Sequence, residues 1–188
     1  MKYDIILCGV GGQGVLSVAA AIATAAGIEN LNVRQSEVHG MAQRGGAVLS
    51  HLRISDTEIH SDLVAEGSAD MVLSMEPLES LRYISFLKPE GIVISAQEPF
   101  INIPNYPELD QIHTEIKKMK NSKLVDTAHI VKESQNPRAS NMAIVGAASR
   151  YLPVKTESLK KAVAILFKNK SEDIINKNIR AIELGGSI

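Results

Sequence analysis

The sequence predicts a three-layer α/β fold in which a mostly parallel sheet has helices packed on both faces. Three observations predict it. Short apolar runs, typical of buried strands, alternate along the chain with segments whose apolar residues recur at helical spacing. One pair of neighbouring runs is close enough in sequence to form an antiparallel β-hairpin. From residue 138 onward the pattern is helical, so a helical C-terminus is expected.

Length and composition limit the possible functions. A chain of 188 residues is long enough for one well-buried domain, and a single domain over residues 1–188 is expected. A net charge of −1 provides no basic surface for nucleic acid, and no apolar run reaches the ~18 residues of a membrane span. The first residues lack the order of regions found in a signal peptide, so a cytoplasmic location is expected.

The single cysteine, Cys8, excludes an internal disulfide and any all-cysteine zinc or iron–sulfur site within this chain. Its position at the end of a buried strand favours a small core residue over a nucleophile. If the reaction moves electrons, another chain must carry them.

A glycine-rich turn separates the first predicted strand, residues 3–8, from an Ala-rich helix predicted over residues 15–26. Gly9, Gly11 and Gly14 spell G-x-G-x-x-G at this strand-to-helix turn. In that context the glycines allow a tight turn, close approach of a phosphate to the backbone, and close packing of the helix. Unpaired N–H groups and the positive dipole end of the helix also favour an anion. The fold is therefore predicted to be Rossmann-like with a phosphate site; glycines that only pack the turn are the alternative.

A bound adenine dinucleotide is not supported by the second strand. The classical fingerprint needs Asp or Glu at the end of that strand, about 20 residues beyond the glycines. The predicted strand, residues 31–35, ends in Arg34 and Gln35, with Glu29 before it and Glu37 after it.

The stretch after that strand, residues 36–46, has three glycines and no clean period, and is predicted to be a loop. Arg44 can bind a phosphate or carboxylate through two hydrogen bonds, and Gly45 and Gly46 allow close backbone approach. Further polar groups that could point into a shared site are those of Glu37, His39 and Gln43. The loop is predicted to meet a ligand or a partner chain; a solvated loop with a surface Arg44–Glu37 pair is the alternative.

The hairpin is predicted between residues 47–54 and residues 57–61, across a two-residue turn. Its cross-strand pairs would be Arg53 with Glu58 and His51 with His60. The two histidines could be half of a metal site. No third ligand lies nearby in sequence, so a solvated polar face is the favoured interpretation.

Predicted strands and helices continue to alternate after the hairpin. Strands are predicted over residues 69–75, 92–95 and 123–126, and helices over residues 77–87, 109–119, 127–134 and 141–151. Residues 88–91 are predicted to end the first of these helices. Residues 97–107, with three prolines, form an extended connection. Thr156 and Ser171 are the predicted N-caps of two last helices.

Two stretches, in this order, resemble a known family. GVGGQG at residues 9–14, followed by SEVHGMAQRGG at residues 36–46, resembles the gamma-type domain of 2-oxoacid:ferredoxin oxidoreductases. The E-x-x-G-x-x-Q-R-G-G pattern is the more specific of the two. The further matching stretches are residues 48–53, 69–73, 76–83 and 141–146. The similarity extends from the first strand to about Tyr151.

The resemblance implies a reaction that this chain does not catalyse alone. Such enzymes decarboxylate a 2-oxoacid oxidatively, form an acyl-CoA and pass electrons to ferredoxin. Thiamine diphosphate, magnesium and [4Fe-4S] clusters are implied for a larger alpha subunit, within a heterotetramer. One cysteine, and no G-D-G stretch with a following Asn, agree with that division. The implied role is that of the smaller subunit, with indolepyruvate or another arylpyruvate as the substrate class.

For the glycine loop, the resemblance implies CoA as the phosphate-bearing ligand. The implied binding residues are Gly9, Gly11, Gly12, Gln13, Gly14, Arg44, Gly45, Gly46 and Asn141. A helix cap explains Asn141 equally well. No catalytic residue or metal ligand is assigned to this chain; the supporting candidates are Glu37, His39, Gln43 and Arg44. A stand-alone nucleotide-dependent dehydrogenase, which should bind NAD(P), and a non-catalytic nucleotide-sensing or assembly module are the alternatives.

Overall fold

A central β-sheet organises the molecule. The computed structural model describes residues 1–39 and 45–188, with His39 described by its backbone. In this part of the chain the sheet has six strands in the order β2-β3-β1-β4-β5-β6. The strands are β1 Lys2–Val10, β2 Asn32–His39, β3 Ala47–Ser55, β4 Ala69–Ser74, β5 Leu87–Ala96 and β6 Ser122–Val125. Only β3, among these six, runs against the others: it pairs antiparallel with β1 and β2, and the other pairs are parallel.

Helices cover both faces of the sheet, which confirms the predicted three-layer fold. They are α1 Val15–Ile28, α2 Pro77–Arg82, α3 Leu109–Lys117, α4 Thr127–Glu133, α5 Ser140–Ala148, α6 Thr156–Leu166 and α7 Glu172–Gly186. Successive strand side chains point to opposite faces. Ile5 and Leu7 therefore pack under the layer that contains α1 and α5, while Ile6 and Cys8 pack under α2 and α3. No helix in the described ranges is long and apolar enough to cross a bilayer.

Helices α5 and α7 are in backbone contact where they cross. A Cβ atom on Gly146 would lie 2.2 Å from the carbonyl oxygen of Ile182. A Cβ atom on Gly185 would lie 2.2 Å from the carbonyl oxygen of Ala143. No side chain fits at either position, so these two helices need glycine where they cross.

The predicted partner of β3 is wrong. Residues 57–61 belong to no strand. Arg53 explains why: its guanidinium forms an ion pair with the buried Asp4, and its Nη1 donates to the carbonyls of Ser61 and Leu63 at 2.9 and 3.0 Å. These bonds hold the segment across the face of the sheet, while β1 and β2 take both edges of β3.

The predicted cross-strand pairs are wrong for the same reason. His51 is buried and does not face His60, which is exposed. The Nδ1 atom of His51 accepts the backbone N–H of Val64 at 3.1 Å. Arg53 likewise does not face Glu58.

Two predicted boundaries also differ. Residues 36–39, predicted as loop, belong to β2, because the pairing with β3 continues without interruption to His39. The helix predicted over residues 77–87 ends at Arg82, and residues 88–91 lie in β5. Strand β5 starts early because its pairing with β4 shifts register there and so accommodates the extra residues.

The two predicted N-caps have different outcomes. Ser171 is confirmed, since its Oγ accepts the N–H of Ile174 at 3.4 Å. Thr156 is the first residue of α6, and Lys155 occupies the N-cap position.

Candidate functional site

The glycine loop (residues 9–14) lies where the connections of the sheet diverge. From β1 the chain passes through α1 to β2 on one side; from β4 it passes through α2 to β5 on the other. In open α/β sheets the carboxyl ends of the strands form a crevice at such a point, and ligands bind there. The fold therefore places the predicted phosphate motif at the expected position for a ligand site.

A cavity of about 540 Å³ opens at this point, a volume typical of small-molecule sites. Residues at or just beyond the carboxyl ends of β1, β4, β5 and β6 line it, together with the start of α5. The charged side chains in the lining are Glu98 and Arg138. Met75 and Phe100 contribute apolar surface.

Gly14 cannot carry a side chain without strain. Its φ of 82° lies in the left-handed region, and a Cβ atom would lie 3.1 Å from Nδ2 of Asn141. Gly14 is also the N-cap of α1, and among the described residues no side chain caps that helix start. The N–H of Ser17 donates to the carbonyl of Gly14 at 2.9 Å, so a ligand bound at this helix start would meet the N–H groups that precede Ser17. The structure places Asn141, at the start of α5, beside Gly14 of the glycine loop. Ligand binding by Asn141 stays a prediction.

The side chain of Gln13 forms hydrogen bonds within the fold that link two strand ends. Its Oε1 accepts the N–H of Val10 at 2.8 Å, and its Nε2 donates to the carbonyl of Met75 at 3.0 Å. The N–H of Met75 in turn donates to the carbonyl of Cys8 at 2.9 Å. The Gln13 amide therefore joins the carboxyl ends of β1 and β4. Ligand binding by Gln13 stays a prediction.

The two predicted motifs meet through their backbones. The N–H of Gly11 donates to the carbonyl of Gly46 at 2.8 Å, and the N–H of Gly45 donates to the carbonyl of Gly11 at 3.2 Å. Because β3 pairs with β1, these bonds continue the strand ladder into the glycine loop. The end of the second motif therefore lies against the first.

Other predicted residues of the second motif are placed only in part. Gln43 and Arg44 lie outside the described residues, and so does the side chain of His39. Glu37 is an exposed residue of β2. Their predicted roles stay predictions.

The sequence interpretation missed Glu98, Thr127 and Arg138. The Glu98 carboxylate accepts the Thr127 hydroxyl at 2.6 Å and the N–H of Ala128 at 2.9 Å. Glu98 and Thr127 each follow a parallel strand within two residues, so the rule on strand ends could have found them. Arg138 lies in a helix–helix connection with no comparable signal.

Behind the cavity lies a buried carboxylate, Glu76, which is 1% exposed. Its Oε2 accepts the N–H of Glu79 at 2.8 Å and so caps α2. Its Oε1 accepts the hydroxyl of Tyr106 and the N–H of Phe100. Burial raises the pKa of Tyr106, and the adjacent Glu76 raises it further. Burial also raises the pKa of Glu79, although Arg82 opposes the shift.

The strand order argues against a classical dinucleotide site more strongly than residue types do. Strand β3 lies between β1 and β2. Neighbouring strands are about 4.8 Å apart, so the carboxyl end of β2 is roughly 10 Å from the glycine loop instead of adjacent to it. No carboxylate of β2 can therefore occupy the usual ribose position beside β1.

Comparison with known proteins agrees with this arrangement. The family model for pyruvate ferredoxin/flavodoxin oxidoreductase matches residues 4–188. The chain belongs to this family. It is 36% identical over 194 residues to the indolepyruvate oxidoreductase subunit IorB of Archaeoglobus fulgidus, covering 98% of this chain and 94% of that protein.

Solved structures of the oxidoreductase family share the fold. Pyruvate oxidoreductase subunit PORC from Thermotoga maritima superimposes with a TM-score of 0.74 at 20% identity, covering 99% of this chain and 96% of that one. A 2-oxoglutarate:ferredoxin oxidoreductase from Magnetococcus marinus, solved with 2-oxoglutarate, coenzyme A and succinyl-CoA bound, gives 0.78 at 20% identity. It covers 99% of this chain and 30% of that chain.

The family match and the full-length relative identify this chain as a small subunit of a 2-oxoacid:ferredoxin oxidoreductase, as the sequence resemblance implied. The stand-alone dehydrogenase and the sensing or assembly module are not favoured.

Proposed function

We propose that this chain is the smaller subunit of an indolepyruvate, or more broadly arylpyruvate, ferredoxin oxidoreductase and that it forms part of the CoA pocket. The observation that carries the proposal is the cavity lined by residues 12–14 of the glycine loop, by residues 98–100 and by the start of α5. The name of the IorB relative supports the substrate class. The bound coenzyme A in the Magnetococcus enzyme supports the ligand.

The residues of the cavity fit CoA. The uncapped start of α1 and the guanidinium of Arg138 suit phosphate groups, and Phe100 and Met75 offer apolar surface. Gly14 leaves room beside Asn141 that a Cβ atom would fill. In this proposal Gly12, Gly14, Arg138 and Asn141 bind the ligand, with Arg44 as a further contributor.

A partner chain carries the redox chemistry in this proposal. Thiamine diphosphate, magnesium and [4Fe-4S] clusters reside in a larger alpha subunit, two of each chain form a heterotetramer in the cytoplasm, and ferredoxin accepts the electrons. Cys8 supports the division of labour, because the only thiol of this chain is fully buried in β1. Burial raises its pKa to about 12, which disfavours the thiolate that a cluster requires.

Co-purification tests the assignment. The chain would be tagged in its native cell, purified anaerobically and assayed for CoA-dependent reduction of a viologen dye with indolepyruvate, phenylpyruvate and pyruvate. We expect a larger iron–sulfur partner and preferential oxidation of the arylpyruvates. A chain that purifies alone, without activity but with a tightly bound nucleotide, would contradict the proposal.

Gly14→Ala tests the position of the CoA pocket. An L-residue at this left-handed φ is strained by about 1–2 kcal/mol, and the new methyl group presses on Asn141. We expect the KM for CoA in the complex to rise about tenfold while the KM for the 2-oxoacid stays unchanged. Gly27→Ala is the matched control, because its Cβ atom meets open space. Equal KM values for CoA in both variants would place the pocket elsewhere.

A further inference from the structure

One wall of the cavity is a segment without regular structure. Residues 97–107, called here the wall segment, connect β5 to α3 and include three prolines. Glu98, Pro99 and Phe100 line the cavity, whereas Ile101 is 70% exposed. A segment with so little apolar burial of its own has many accessible conformations unless other groups restrain it.

The backbone of Gln97, at the start of the wall segment, is hydrogen-bonded to Val125 and His113. Beyond Gln97, three side chains in the described part of the chain restrain the segment through polar contacts. Glu98 is bound to the start of α4 through Thr127 and Ala128. The side-chain Nδ2 of Asn102 donates to the carbonyl of Gly45 at 2.8 Å, which links the segment to the second motif. The third contact is the carboxylate of Glu76, which is supplied by a different part of the fold.

Glu76 differs from the other two because it fixes two points of the wall segment at once. A single oxygen, Oε1, accepts both the N–H of Phe100 and the hydroxyl of Tyr106, so residues six apart in sequence are drawn to one atom. The other oxygen is fixed by the N–H of Glu79 at the start of α2. Because α2 packs on the sheet, the bonds of Glu76 fix the position of Phe100 relative to the rigid core.

We infer that Glu76 is a positioning residue of the CoA pocket: its buried carboxylate holds the wall segment in the conformation that binds the ligand. The inference rests on the proposed function, which places CoA in the cavity. Glu76 does not line the cavity itself and acts through Phe100 and Tyr106. A group that orients the residues lining a site affects binding without taking part in the chemistry.

Two substitutions test the inference in the purified complex. Tyr106→Phe removes only the hydroxyl that donates to Glu76. Glu76→Gln keeps an oxygen that can still cap α2 but removes the charge that strengthens all three bonds. For both variants we expect faster hydrogen exchange at the amides of residues 98–106 and a KM for CoA raised about tenfold. The kcat and the KM for the 2-oxoacid should stay within about twofold, because only the pocket wall has changed.

Tyr151→Phe and Glu66→Gln are the matched controls, since Tyr151 and Glu66 are exposed and outside the cavity. Unchanged exchange in residues 98–106 would overturn the inference, and so would faster exchange with an unchanged KM for CoA. Gly14→Ala, measured in the same preparation, separates this inference from the proposed function. If Gly14→Ala weakens CoA binding while the Glu76 and Tyr106 variants do not, only the positioning role fails. If none of them affects CoA, the cavity is not the CoA pocket.

Discussion

At the scale of single residues, His51 shows how burial changes a polar side chain. The sequence pattern placed it on a solvated face, but the folded chain buries it. Its Nδ1 accepts the N–H of Val64, and its ring meets Phe86 edge-on with centroids 5.5 Å apart. Burial lowers the pKa of His51, and the positive charge of Arg53 lowers it further. The folded chain therefore favours the neutral imidazole.

This lowered pKa predicts a loss of stability in mild acid. The unfolded chain, in which a histidine has its ordinary pKa of about 6.5, takes up the proton more readily than the folded chain. The free energy of unfolding should therefore be greatest above about pH 6.5 and fall as the pH drops below that value. Urea unfolding at pH 7.5 and 5.5 measures the effect. We expect a smaller pH dependence for His51→Gln, whereas the exposed-site control His60→Gln should behave as the wild type does.

Cys8 gives a second prediction at this scale. Its thiol is fully buried, and the raised pKa keeps it protonated at neutral pH. A thiol reagent such as DTNB should therefore fail to label the folded chain and should label one site per chain in urea. Rapid labelling of the native chain would show that β1 opens far more easily than its central position suggests.

At the scale of elements, the crossing of α5 and α7 has no room for a side chain larger than glycine at two positions. Since a Cβ atom on Gly146 or Gly185 would overlap a carbonyl oxygen, either Ala variant must separate the helices. We expect Gly146→Ala to lower the free energy of unfolding by about 3 kcal/mol, the upper range for overpacking. Gly27→Ala, within α1 and in open space, should lose nothing. A Gly146→Ala chain as stable as Gly27→Ala would contradict the close contact.

Helices and strands could be predicted from the sequence where a pattern within the segment itself determines them. Helix α1 follows from its Ala-rich pattern and α5 from its small apolar residues, which are buried as expected from Met142 to Ala148. The partner of β3 was not predictable, because strand pairing depends on long-range contacts. Arg53 alternates like any strand residue, and only the folded chain shows that Asp4, from β1, faces it.

At the scale of the whole molecule, strand order explains how much of the site could be predicted. The glycine loop is visible in sequence because one continuous segment forms it. Its contact with Gly45 and Gly46 follows from β3 lying beside β1, which only the sheet order shows. Arg138 reaches the cavity from a distant connection, so no local pattern marks it, whereas Glu98 of the wall segment could have been found from its position just after β5. The roles of Gln43 and Arg44 stay predictions.

The sheet order also predicts that backbone amides differ in their protection from hydrogen exchange according to the position of their strand. β1 has neighbours on both sides, whereas β2 is paired only with β3 in the described sheet. Amides of β2 should therefore exchange faster than those of β1 in the isolated chain, since edge strands open more easily. Hydrogen exchange measured by mass spectrometry tests this expectation. Equal rates in β1 and β2 would contradict it, and slower exchange of β2 in the complex would locate a contact with a partner subunit.

The position of β1 between β3 and β4 has a consequence for synthesis on the ribosome. Both neighbours of β1 are encoded after it, the second ending at Ser74. At roughly 5–20 residues per second, β1 waits on the order of 3 to 13 seconds for that residue to be made. Because β3 is complete at Ser55, it is the β4 edge of this apolar strand that stays unpaired for the whole of that time, and a nascent-chain chaperone can bind it. Ribosome-bound chains stalled before and after residue 74 should therefore differ in chaperone occupancy.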